Sequence, residues 1–256
     1  MQKKIISIDL EYDFDSNDST ESVNLIPKIL DLFDDHNIRA TFFTVGKLAE
    51  PFEDLIKDIN KKHEIASHSY SHVHLDKLSE EELNNEIKLS KSSLKEIGID
   101  CKGFRAPFLV TNNMLGDALK KHGFEYDSSI GSFFPGRYLN IFSHKKPYYC
   151  STRLTKKGND LIELPIPDFT FFRFPPSALS YYRLFYPLSK LFKVPYMFYF
   201  HPYEFLEQGE KQNMPLLVKQ LSARNSGKKA WTIFKNLISK QDCQWVSCSD
   251  YIKHLK

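Results

Sequence analysis

The chain has 256 residues, 41% of them hydrophobic and 26% charged, a balance that fits a folded globular protein and argues against disorder. Glycine is scarce, at 10 residues, which excludes collagen-like sequence. A formal charge of +3, from 35 Lys and Arg against 32 Asp and Glu, is too small to point to nucleic acid.

The charge is unevenly spread. Residues 211–256 hold nine Lys and Arg against two Asp and Glu. A solvated helical face accounts for that, and attraction to an anionic membrane or a phosphorylated substrate is the alternative. No linker or repeat divides the chain, so one catalytic-size domain over 1–256 is expected. Cys101, Cys150, Cys243 and Cys248 form no C-x-x-C pair. Reduced thiols in a cytoplasmic protein are the expectation. The start, MQKKIISIDL, turns acidic at once and does not read as a signal peptide. No apolar run reaches the roughly 18–20 residues that span a bilayer.

Short apolar runs alternate with helical patterns in the first half. Residues 4–8 read as a buried strand ending at Asp9, and 23–33 as a helix after the candidate cap Ser22. Strands follow at 40–45 and 64–67, with a helix at 52–59 between them. Ser79 opens a capping box for a helix to about Ile97. Residues 103–105 form a short strand, 111–122 a helix closed by Gly123, and 125–127 another strand. Residues 128–168 read as an irregular excursion with one strand at 161–164. Residues 194–200 make a strong strand ending at His201, followed by a helix at 228–239, a strand at 244–247 and a closing helix at 249–255. Such alternation implies parallel strands with right-handed crossovers, and chemistry at their carboxyl ends. Asp9, His68, Arg105 and Asp127 each stand just past a strand.

Four groups carry candidate chemistry. His68-Ser-Tyr-Ser-His72 places two imidazoles at i and i+4, which one face of a helical turn would bring together for metal chelation. Asp9, Glu11 and Asp13 alternate along an extended chain and share a side. Arg105, before Ala106-Pro107-Phe108, can hold a carboxylate by paired hydrogen bonds. His201 ends an apolar strand where its proton affinity is open to tuning.

In series, the segments HEIASHSYSH, GFRAPF, HGFEYDSSI and FYFHP resemble the polysaccharide deacetylases, the NodB-homology carbohydrate esterases, over most of residues 4–205. The wording is closest to the signal-free branch linked to polysaccharide biosynthesis. The resemblance implies a distorted (β/α)7 barrel and metal-dependent removal of an N-acetyl group from an amino sugar. It implies Asp9 as catalytic base, Arg105 as its orienting partner and His201 as catalytic acid. It implies His68 and His72 as metal ligands, Phe198 as lining for the acetyl methyl, and Asp127 as support for the catalytic histidine. Phe108 would offer a backbone N–H to the oxyanion. The family pattern has two adjacent aspartates, the second binding metal, but Leu10 stands there. Glu11 is the first substitute and Asp13 the second. The implied cofactor is a divalent metal, zinc first, with cobalt or nickel as alternatives. The implied partner is an N-acetylated saccharide, with no nucleic acid.

Residues 171–200 hold twelve aromatics, four Lys and Arg and no Asp or Glu, which suits core packing, sugar stacking or peripheral contact with the inner membrane face. Two other functions compete: a metal-independent amidohydrolase of a small cyclic amide, and a non-catalytic saccharide-binding protein. The sequence leaves the oligomeric state open.

Overall fold

The computed structural model describes residues 1–13, 18–131, 146–167, 177–191, 193–207, 221, 223–240 and 242–255. The elements run β1 (Gln2–Leu10), α1 (Ile26–Asp35), β2 (Thr41–Thr44), α2 (Glu53–Asn60), β3 (Glu64–Ser67), α3 (Glu80–Glu96), β4 (Gly103–Phe104), α4 (Leu115–Lys121) and β5 (Tyr126–Asp127). They continue with β6 (Tyr148–Cys150), β7 (Leu161–Glu163), α5 (Leu179–Leu184), β8 (Met197–Phe200), α6 (Lys228–Lys240), β9 (Cys243–Val246) and α7 (Cys248–Lys253).

One sheet runs β6-β7-β5-β4-β3-β2-β1-β8, with β9 also on β1. Every pairing is parallel except β6 with β7. The parallel pairings are those the alternation predicts, and the strands curl into the distorted, incomplete β/α barrel that the resemblance implies. Successive strand residues point to opposite faces, and two cores result. Ile5, Phe43, Ala66, Tyr126, Leu164, Met197 and Tyr199 fill the inside. Ile6, Ile8, Phe42, Ile65, Phe198 and Phe200 face the helices.

The capping box at Ser79 forms as expected: Ser79 Oγ accepts from the Glu82 N–H, and the Glu82 carboxylate accepts from the Ser79 N–H at 2.8 Å. The Ser22 cap does not. Glu21–Leu25 is a 3-10 turn leading into α1, and Ser22 Oγ bonds to nothing. The Asp13 carboxylate takes its place, accepting the N–H groups of Glu21 at 2.7 Å and Ser22 at 3.1 Å. The helix expected from residue 111 starts at Leu115, because Asn112 Oδ1 caps the Met114 N–H. The excursion at 128–168 holds β6 as well as the expected β7; its residues 132–145 lie outside the described residues. Of the aromatic segment at 171–200, residues 171–176 and 192 also lie outside them. Tyr182, Phe198 and Phe200 in that segment belong to the core, while Phe185, Leu188 and Leu191 are exposed. No helix among the described residues is long and apolar enough to cross a membrane.

Candidate active site and metal centre

β1 delivers both acids. Asp9 is its penultimate residue and Glu11 follows its end, so their side chains share the inner face, while Leu10 turns into the outer core. Arg105 leaves β4 beside them, fully buried. Its Nη1 donates to Asp9 Oδ1 at 2.6 Å, its Nη2 to Ser128 Oγ at 3.0 Å and its Nε to Ser128 O at 3.3 Å. The guanidinium lies 4.0 Å from the Phe43 ring and 5.3 Å from the Tyr199 ring. A planar group fixed on every side aims one carboxylate and keeps its charge compensated.

His68 and His72 meet, but not on a helix. They sit on the loop after β3, where Ser69 and His72 adopt positive φ of 62° and 57°. The loop is wrapped around Glu86 of α3, which accepts from the N–H groups of Tyr70 at 3.0 Å and Ser71 at 2.6 Å. The imidazole centroids lie 5.2 Å apart. Both rings address Glu11: Oε2 lies 3.1 Å from His68 Nε2 and 2.6 Å from His72 Nε2.

These three residues fit a metal. His68 Nδ1 lies 2.9 Å from the Arg105 carbonyl and donates to it, which fixes the ring's orientation. Its Nε2 faces Glu11 Oε2 at 3.1 Å, on the side where a cation would sit. His72 Nε2 is buried and, despite its close approach to Glu11, makes no well-directed hydrogen bond. Ligating atoms from Glu11, His68 and His72 all lie within 4.8 Å of one another. Two imidazoles and a carboxylate, one ring oriented by a backbone carbonyl, match a divalent-metal donor set. Asp13, the second substitute, is committed elsewhere: besides the two N–H groups above, it accepts from Ser19 Oγ at 2.5 Å.

His201 closes the group. Its Nε2 lies 3.7 Å from both Asp9 Oδ2 and Glu11 Oε1. Burial opposes its charge, but Glu11, Glu204 and Asp9 outweigh that and push its pKa up to about 9. Burial likewise opposes ionisation of Glu11; the charge of His201 and the imidazoles of His68 and His72 beside it overcome it and hold the carboxyl well below the usual range. Behind His201 stands Glu204, with Oε1 3.4 Å from Nδ1. Glu204 in turn accepts from Arg183 Nε at 2.9 Å. The sequence reading missed Glu204, Arg183 and Glu86. The readable signal for Glu204 was an acid three residues past His201 with Pro202 between, a tight-turn spacing.

Two expected side chains are not where the resemblance puts them. Phe198 faces the helices, stacked 6.4 Å from Phe234 and edge-on to Tyr182 at 6.2 Å. Its neighbours Met197 and Tyr199 point inward instead, because one step along a strand reverses the face. Asp127 does not hold His201. It accepts from Ser129 Oγ at 2.7 Å and faces Glu163 across the β5–β7 pair. Phe108 does reach the site: its ring lies 4.7 Å from His72 and stacks on His74 at 4.3 Å, on a turn with φ of 57°.

Residues 8–126 match the family model described as Polysaccharide deacetylase. That stretch, just under half of the chain, is similar to the polysaccharide deacetylases. It is 39% identical over 93 residues to a peptidoglycan-N-acetylglucosamine deacetylase of Bacillus cereus, covering 36% of this chain and 34% of that one. It is 25% identical over 174 residues to a peptidoglycan deacetylase of Helicobacter pylori, covering 61% of this chain and 59% of that one. The chain thus spans well under two thirds of the length of either relative. A Mycobacterium smegmatis structure assigned to the polysaccharide deacetylases shares the fold, with a TM-score of 0.61 at 21% identity over 98% of this chain and 90% of that one.

Proposed function

We propose that this protein hydrolyses the N-acetyl group of an amino sugar within a saccharide, releasing acetate and a free amine. One observation carries the reading: an aimed carboxylate, a two-histidine-and-carboxylate donor set and a charged imidazole converge, with Asp9 and Glu11 both 3.7 Å from His201. Glu11, His68 and His72 would hold a divalent metal, zinc first, and when bound it supplies a Lewis acid for the amide carbonyl and for water. Asp9 takes a proton from the attacking water. Arg105 pairs with Asp9 and keeps it pointed. The backbone N–H of Phe108 faces the oxygen that gains charge as the carbonyl becomes tetrahedral. His201 gives its proton to the amine nitrogen as the C–N bond breaks, and Glu204 steadies the ring. The metal-free and non-catalytic alternatives drew on Leu10, but Leu10 is core and Glu11 stands in its place.

The test is acetate release from N-acetylglucosamine oligomers by the purified chain. Activity lost with a chelator and restored by zinc or cobalt supports the reading. Release that ignores the chelator favours the small-amide hydrolase, and no release on any N-acetylated saccharide removes the proposal.

A further inference from the structure

Beside the candidate site lies a cavity of about 360 Å³. Thr111, Asn113, Ser129 and Thr155 give it a polar wall, and Arg153 stands on its rim. Two residues join it to the site. Leu109 lines the cavity and directly follows Phe108, whose ring covers His72. Ser129 also lines it, and its Oγ accepts the Ala106 N–H at 2.8 Å. The cavity therefore shares the Arg105-to-Leu109 turn with the groups proposed for catalysis.

Arg153 is exposed, yet its backbone is fixed. It sits in the turn between β6 and β7, closed by the Ser151 N–H to Lys156 O at 2.9 Å and the Lys156 N–H to Arg153 O at 2.7 Å. Tyr148 Oη donates to Leu154 O at 2.7 Å. The turn presses onto α4 at Gly116, where an added Cβ would come within 1.9 Å of the Thr152 carbonyl oxygen, so glycine is what permits the approach. Arg39, Arg105 and Arg183 each hold a carboxylate. Arg153 forms no ion pair with any described residue. A guanidinium with no carboxylate partner among the described residues, lining a polar cavity with hydroxyl and amide groups beside it, suits an oxyanion.

We propose that this cavity is a second saccharide subsite in which Arg153 binds an anionic group, carboxylate or phosphate, on the sugar adjoining the one that loses its acetyl. The proposal rests on the deacetylase reading and narrows its substrate to acidic or phosphorylated glycans.

Calorimetry on the full chain carrying Asp9→Asn, which prevents turnover, tests it with three probes. These are neutral di-N-acetylchitobiose, the N-acetylglucosaminyl-N-acetylmuramic acid disaccharide with its carboxylate, and di-N-acetylchitobiose 1-phosphate. At low salt one anionic probe should bind about tenfold tighter than the neutral one, as one charged hydrogen-bonded contact allows. The two anionic arms distinguish carboxylate from phosphate. Arg153→Gln should erase the gain of the anionic probe over the neutral one, and Arg153→Lys should recover part of it. Equal affinities for all three probes, no binding of any, or a gain that survives Arg153→Gln overturns the subsite. If the gain is present but the unmodified chain releases no acetate, the chemistry falls and the anion site stands.

Discussion

Two sets of buried carboxyl groups flank Arg105, and they behave in opposite ways. Glu11, among imidazoles, is held ionised far below the usual range. Asp127 and Glu163, facing each other, are both pushed up, by burial first. Burial opposes the charge in every case, so partners and not depth decide the outcome. The barrel keeps acceptors where a cation can sit, and a neutral acid where strands must pack. Asp127 and Glu163 then have a structural role at the β5–β7 pair: Asp127 accepts from Ser129 Oγ at 2.7 Å, and Glu163 Oε1 accepts the Ile130 N–H at 3.1 Å.

Four variants sharpen or break that contrast. Asp9→Asn and His201→Ala should each lower turnover by about 10²–10⁴, the range of a lost general base or acid, with unfolding midpoints little changed. Turnover near that of the unmodified chain in either variant would take the chemistry away from this set. Glu11→Gln should abolish zinc retention measured by elemental analysis, since losing even an outer partner of a ligand costs roughly 10–100-fold in affinity. A zinc content that stays intact would move the metal elsewhere. Arg183→Met strands the buried Glu204 charge and should destabilise by about 3–5 kcal/mol in denaturant unfolding.

The smallest effect reverses in sign. A carboxyl whose folded pKa is raised binds its proton more tightly when folded. Its stabilisation is present below the unfolded value, 4.5 for a glutamate, and is lost as pH climbs toward the folded value. Glu163→Gln keeps the acceptor for Ile130 and offers Asp127 an amide donor without needing a proton. It should match the parent near pH 4–5 and be the more stable of the two at pH 8 in denaturant unfolding. A variant less stable than the parent at pH 8 would show that Glu163 is ionised in the fold.

The strand-helix alternation was legible because apolar period and caps act locally. So was the set Asp9, Arg105 and His201, each at a strand end where topology gathers side chains. The histidine pair was legible for an incomplete reason: His68 and His72 meet through a loop bound to Glu86, and a helical i,i+4 spacing only imitates that. Phe198 went astray by one residue, since an all-aromatic strand such as Phe198-Tyr199-Phe200 has no polar mark to say which face is inner. Glu204 and Arg183 pair across 21 positions inside aromatic sequence, and no local pattern announces such a contact.

β1 has a consequence for how the protein is made. It pairs with β2, with β8 from Ile5 opposite Met197, and with β9 from Gln2 opposite Cys243. β1 therefore waits for β8 and β9, far along the sequence, before its ladder is complete, a long closure that slows assembly. In a nascent chain stalled before β8, Asp9 and Glu11 have emerged but His201 has not, so the proposed site would be completed only when β8 joins β1.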